Sequence, residues 1–261
     1  MDFTYFMLQI PPSLLLVIIL LLFAAIGSIG TYCFRKYVVF RPLRSHNEVV
    51  GYIFATLGGF YGLLLGFVVF FVWDSLNGAQ KDASQEASSA KALYRDIRYY
   101  PQPAKVAKLK TVYLLYVHSV VEQEFPDMET MKPLDKHNRD SFNKVFETMG
   151  QLDMRDAYSA QMFRQLNELA TYRSLRQLDS SSSIPFEIWV PLLAGGAIIL
   201  VFAMLLDVES WRLHVFVNGL LGTFIGLVIY IIIILDHPFT GKMKIEPDAY
   251  KSILLMDKED I

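Results

Sequence analysis

The sequence predicts an all-α membrane protein: four transmembrane helices, with a helical-bundle insert between spans two and three. Three observations predict it. The 261 residues are 53% hydrophobic and only 19% charged, and a soluble chain of this length carries more charge and less apolar content. The apolar residues are concentrated in four runs that approach or reach the roughly 20 residues needed to cross a bilayer. Between the second and third runs lies a long polar segment with helical periodicity and no strand pattern.

The first span runs from about Ser13 to Phe34 and carries no charge. No Lys or Arg precedes it, and its apolar core is longer than that of a secretory signal, so it reads as a retained helix. Pro11-Pro12 sets its start, and Phe3, Tyr5 and Phe6 form a candidate interfacial belt before it. The second span runs from about Gly51 to Val72, the third from about Phe186 to Leu206, and the fourth from about Phe216 to Leu235. Lipid offers backbone groups no other partner, so each span must be helical. The implied organisation is residues 1–73 for the first two spans, 74–183 for the bundle, 184–236 for the last two spans and 237–261 for a tail.

No breaker follows Trp73-Asp74 until Pro101 and Pro103, so span two should continue as one long helix. Ala83, Ala87, Ala90, Tyr94 and Ile97 share a face of it. Further helices are expected over about Ala104 to Phe125, stopping at Pro126, over Asp140 to Met149, and over Asp156 to Leu178. Tyr158, Met162, Leu166 and Leu169 form the apolar face of the last. These make a small antiparallel bundle.

Orientation follows from the short loops. Arg35, Lys36, Arg41 and Arg44 lie between spans one and two, and Arg212 lies between spans three and four. The N-terminus has no Lys or Arg, while the tail has Lys242, Lys244, Lys251 and Lys258. This count puts the first loop in the cytoplasm and both termini and the bundle outside.

Several function classes are disfavoured. The net charge is −2 and no basic tract appears, so no nucleic-acid partner is expected. Cys33 is the only cysteine, and the five histidines are scattered, so no zinc-ligand spacing and no cofactor is implied. No HExxH, GxxxxGK[ST], GxSxG or CxxC is present, and no catalytic constellation sits at membrane depth. The chain therefore reads as a non-enzyme. Ionisable groups are nearly missing from the spans, against an ion-coupled transporter. Asn218, Thr56 and Thr223 are the polar exceptions. Asp74, Asp82, Glu122 and Glu124 read as a solvated or salt-bridged surface. Glu86 differs, lying beside the packed face with Lys91 and Arg95 further along. A structural ion pair is expected there.

Span two carries the most informative pattern. Gly51, Ala55, Gly58/Gly59, Gly62 and Gly66 make a small-residue groove along one face. Span four repeats the device in Gly219, Gly222 and Gly226. Small faces let helices approach closely in lipid, so these two spans would pack together or against a symmetry mate. A second use is compatible: span two lines a pore or bends at its glycines. In a pore, Phe67, Phe70 and Phe71 are the constriction candidates, because apolar constrictions gate by dewetting.

The strings "HNEVVGYIFATLGGFYGLLLGFVVFFVWD" (His46–Asp74), "EASSAKALYR" (Glu86–Arg95), "ATYRSLRQL" (Ala170–Leu178) with Pro185 and Trp189, and "LDHPFTGKMKIEP" (Leu235–Pro247) resemble, in order and over almost the whole chain, the bestrophin-like family of small bacterial membrane proteins. The resemblance marks Trp73, Asp74, Glu86, Arg95, Arg173, Arg176, Pro238, Phe239 and Gly241 as motif positions. It implies kinship with bestrophins, which are pentameric anion channels with an apolar neck on the second helix. Phe67, Phe70 and Phe71 map near that neck. It also implies a cytoplasmic bundle, opposite to the charge count. No acidic calcium clasp of the animal bestrophin kind is present. Locally, Pro238 and Gly241 read as a turn docking the tail, Phe239 as an interfacial aromatic, and Asn47 or Ser45 as the N-cap of span two. Two functions remain open: an oligomeric ion channel, selective for anions by this kinship, or a non-conducting membrane module whose bundle senses or binds a partner.

Overall fold

A computed structural model describes residues 3–38, 46–132 and 136–258. Among these the chain is helical with no strand. The helices are α1 (Phe3–Leu8), α2 (Pro12–Tyr37), α3 (Asn47–Arg98), α4 (Pro103–Ser119), α5 (Phe125–Glu129), α6 (Lys136–Met149), α7 (Ala157–Ser180), α8 (Phe186–Leu205), α9 (Trp211–Leu235) and α10 (Asp248–Lys258). Four are long and apolar enough to cross a membrane: α2, α3, α8 and α9. The contacts divide the chain into two compact units, residues 1–74 with 183–236, and residues 75–182 with 237–261.

The first unit is built on α2 and α9, which run antiparallel in close contact. Glycine makes this possible. A Cβ on Gly222 would overlap the carbonyl of Phe23, and one on Gly27 would overlap the carbonyl of Asn218. The partner of span four's glycines within the chain is thus span one rather than span two. Bulk apolar attraction is weak between helices in lipid, so contact at backbone distance supplies the association. Polar groups then fix register. Asn218 donates to the Thr31 hydroxyl at 2.9 Å, and Thr31 donates to the carbonyl of Gly27 at 2.6 Å. At one end, Arg35 donates to the Val208 carbonyl at 2.8 Å and lies 3.1 Å from His214 Nδ1. His214 Nε2 is 2.9 Å from the Ala203 carbonyl. The tautomer follows from these two contacts: Nε2 carries the hydrogen and Nδ1 accepts from Arg35.

Helix α3 meets α8 through Tyr61, whose ring lies over Gly195 and Gly196 and whose hydroxyl donates to the Leu192 carbonyl at 3.0 Å. Asn47 does not cap α3. Its side chain pairs in both directions with the backbone of Asp207, at 2.8 and 2.9 Å, and so ties the start of α3 to the α8–α9 connection. The alternative cap, Ser45, lies outside the described residues, as do Arg41, Arg44, and the side chains of Phe3 and Tyr5. Phe6, the third member of the expected belt, is exposed.

The second unit has a conventional aqueous-type core. Ala87, Ala90, Tyr94 and Ile97 of α3 bury against Leu109, Tyr113 and Val117 of α4, Val145 and Met149 of α6, and Met162, Leu166 and Leu169 of α7. Tyr158 departs from its expected stripe. It is exposed, with its ring edge-on to Tyr100. Asp156 caps α7, accepting from the Ser159 amide at 3.0 Å and the Tyr100 hydroxyl at 2.9 Å. Pro126 does not stop the chain. One π-helical turn, Val120–Glu124, follows α4, and Pro126 then sits in the first turn of α5, where its missing N–H costs no helical bond. The tail was legible only as a turn, yet it contains α10, whose Tyr250 and Ile253 join this core.

A Gly222→Val variant tests the backbone contact between α2 and α9. The added bulk should destabilise the first unit by on the order of 1–3 kcal/mol, read as a lower melting temperature of the detergent-solubilised protein. Gly58→Ala, at a position with nothing within 4 Å in the chain, serves as the comparison and should leave the monomer fold intact.

Candidate functional site

Two sites emerge, one in each unit. In the first, the membrane-depth part of α3 buries a single stripe, Tyr61, Leu65, Val68 and Val72. Leu64 and Val69 beside it are half-buried, and most of the remaining surface at this depth is exposed among the described residues. At roughly 100° per residue the open surface divides into two faces. One carries Gly51, Gly58, Gly62 and Gly66, where an added Cβ would meet nothing within 4 Å. The other carries Phe60, Leu63, Phe67, Phe70 and Phe71, all exposed, with Phe67, Phe70 and Phe71 at 64%, 66% and 55%. Trp73 and Asp74 are exposed on the same continuous helix.

The second site is a buried ion-pair network. Arg176, 0% exposed, donates from Nε and Nη2 to Glu86, from Nη2 to Glu124 at 2.6 Å, and from Nη1 to the Met128 sulfur at 3.2 Å. Arg173 donates to Glu124 from Nε at 3.2 Å and from Nη2 at 2.7 Å. The Tyr250 hydroxyl closes the network on Glu86 at 2.7 Å. The Phe125 ring lies under the Arg176 guanidinium and the Phe142 ring under that of Arg173. Two carboxylates face two guanidiniums, so the network is formally neutral.

Burial alone works against a charged Arg176, but the Glu86 and Glu124 carboxylates outweigh it and hold its pKa well above the ordinary value. Burial, and then the Glu86 charge, push Tyr250 well above the usual phenol range, which keeps it a donor. The planar fork of Arg suits this bidentate geometry, which Lys could not reproduce.

The sequence-expected residues separate cleanly. Glu86 forms the anticipated ion pair, but its partner is Arg176, ninety residues away, rather than Lys91 or Arg95. Arg95 is exposed. Glu124, read as surface, is fully buried. Arg173 and Arg176 come together with Glu86, while Phe239 is not an interfacial aromatic. It is 2% exposed and packs edge-on against Phe125 in the second unit's core. Pro238 accepts the Ile245 amide at 2.9 Å and Gly241 has φ of 82°, so the turn holds Phe239 inward. Tyr250 and Glu124 escaped the sequence reading. A signal existed, since Arg173 and Arg176 continue the 162, 166, 169 spacing of the apolar stripe on α7. Among the described residues no group of three His, Cys, Asp or Glu side chains could hold a metal ion.

A family model for the bestrophin-like domain matches residues 21–250. The chain belongs to the bestrophin-like family. Solved structures share the bestrophin-like fold at low identity. A single-substitution variant of a bacterial bestrophin homologue from Klebsiella pneumoniae is 15% identical, with a TM-score of 0.66 over 93% of this chain and 98% of that one. The same homologue, phased with zinc, is 14% identical, with a TM-score of 0.65 over 91% and 94%. A membrane protein variant is 13% identical, with a TM-score of 0.66 over 94% and 97%. No curated protein matches the chain. The bestrophin-like chain is thus an all-α integral membrane protein, with the second of its spans open on two faces.

Arg176→Met would leave the Glu86 carboxylate without a guanidinium in the core and Glu124 with Arg173 alone. The expected cost is about 3–5 kcal/mol at neutral pH. Orphaned carboxylates have folded-state pKa values above their unfolded ones, so their protonated form favours folding at low pH and that advantage is lost as pH rises. The deficit relative to wild type should therefore be smaller at pH 5 than at pH 8 in thermal melts.

Proposed function

We propose that the protein is an oligomeric ion channel related to bestrophins, conducting anions, in which α3 lines the pore. The observation that carries this reading is the doubly open surface of α3. Spans one and four are satisfied against each other through glycine, whereas span two leaves both a glycine face and an aromatic face without a partner in its own chain. Other copies of the chain supply what is missing. The glycine face, Gly58, Gly62 and Gly66, packs on a neighbouring subunit, and Phe67, Phe70 and Phe71 line an apolar constriction on the axis. Such a ring of aromatic side chains disfavours a continuous water column and so gates by dewetting. By kinship with bestrophins the assembly is a pentamer. No catalytic step is assigned to it.

The ion-pair network serves the second unit as a structural clamp in this scheme, fixing α3, the π-helical turn after α4, α7 and the tail against one another. The protein resides in the bacterial inner membrane, with its bundle cytoplasmic as in bestrophins, although the positive charges of the short loops point the other way.

Reconstitution of the purified protein into chloride-loaded liposomes tests the channel directly. Wild type should pass anions, and Phe70→Ala or Phe67→Ala should raise conductance several-fold by shortening the dry segment. Silent bilayers across pH and voltage, with a properly folded protein, would sink the reading. Orientation is tested by a Ser88→Cys variant in a Cys33→Ser background. Impermeant maleimide should label it only in inverted vesicles, and labelling of intact spheroplasts would place the bundle outside.

A further inference from the structure

Where α2 ends and α9 begins, the first unit has a basic and aromatic cleft lined by Tyr32, Arg35, Lys36, Trp211 and Val215. We propose that this cleft binds the phosphate group of an anionic phospholipid. The inference is independent of ion conduction.

Four observations lead to it. The cleft sits at the ends of two apolar spans, and Trp211, 52% exposed, with Tyr32 and Tyr37 presents the amphipathic rings that mark headgroup depth. The Tyr32 and Trp211 rings pack 6.4 Å apart and form one wall. Cations are held over these rings: Lys36 Nζ lies 5.9 Å from the Tyr32 centroid and 5.3 Å from that of Tyr37, and the Arg212 guanidinium lies 5.7 Å from that of Trp211. Among the described residues neither Lys36 nor Arg212 has a carboxylate within ion-pair distance.

The third observation is the neighbouring acids. Asp207 and Glu209 lie on the same connection, but both are engaged in contacts of their own, as Arg35 is. Lys36 therefore carries the recognition within the cleft, and Arg212 adds a second cation through the Trp211 ring on which it lies. The fourth is the start of α9, where Ser210 accepts from the Leu213 amide and the first-turn amides add a positive end beside Trp211. Lys36 also complements the carbonyl end of α2. That role alone would not require it to lie over two exposed tyrosines in a cleft walled by Trp211. A lipid phosphate is selected over a soluble anion because the aromatic wall and the adjoining apolar spans offer a place for acyl chains.

Native mass spectrometry of the full-length protein in neutral detergent tests this, with equimolar phosphatidylglycerol and phosphatidylcholine of matched chains. Wild type should retain phosphatidylglycerol preferentially. Each neutralised cation should weaken retention about 5-fold, so Lys36→Gln with Arg212→Gln should weaken it roughly 25-fold. The charge-retaining pair Lys36→Arg with Arg212→Lys should keep the preference. Equal retention of both lipids by wild type, or an unchanged preference in the neutralised pair, overturns the proposal. Inorganic phosphate provides the last arm. If it displaces phosphatidylglycerol and protects wild type but not the neutralised pair from thermal unfolding, the cleft belongs to a soluble phosphate and the lipid assignment falls.

Discussion

Close approach of helix backbones, made possible by glycine, is the constraint on which the membrane unit depends. In lipid, helices gain nothing from hiding apolar side chains from water, because the surrounding tails are equally apolar. Association must come from contact at short range and from the few polar groups that can find each other. Gly27 and Gly222 let α2 and α9 touch at carbonyl distance, and Asn218, Thr31 and the Arg35–His214 pair then set the register. Helix α8 packs against that pair, and α3 joins the unit through Tyr61 on α8.

The same rule explains why α3 stands apart. Its glycines are as regularly spaced as those of α9, yet they face open space. A small-residue face without a neighbour is an unsatisfied contact, and beside it lies an exposed aromatic face of Phe60, Phe67, Phe70 and Phe71. The second unit obeys different physics. There an apolar core of aqueous type holds a neutral group of two Glu and two Arg side chains, with Tyr250 supplied by the tail. Such a group adds little net stability against an apolar replacement, whereas removing one member leaves a buried charge and is costly.

The corrections to the sequence reading share one cause. Short-range pattern reports which face of a helix is apolar, and it did so for Ala87, Ala90, Tyr94, Ile97, Met162, Leu166 and Leu169, all of which lie in the second unit's core. It does not report partners. Asn47 has the chemistry of a cap and instead binds the backbone of Asp207. Pro126 has the chemistry of a stop and instead follows a π-helical turn that absorbs it. Phe239 beside an apolar span looks interfacial, but the turn at Gly241 folds it against Phe125. At Asn47 and Phe239 a contact distant in sequence outweighed the local preference, which for a cap is about 1 kcal/mol, and at Pro126 the adjoining backbone turn removed the conflict.

The sequence by itself determined the fold class, the four spans, the helical insert and the family. These follow from composition, apolar run length and motif order, which need no knowledge of what touches what. Only the tertiary structure decided that span four's glycines serve span one, that Glu86 answers to Arg176, and that Glu124 and Tyr250 belong to the same buried network. The physical reason is that a glycine stripe or a charged side chain states a requirement, for closeness or for compensation, without naming the residue that meets it. The folded chain meets these requirements for α9 and for Arg176, and leaves the glycine face of α3 open.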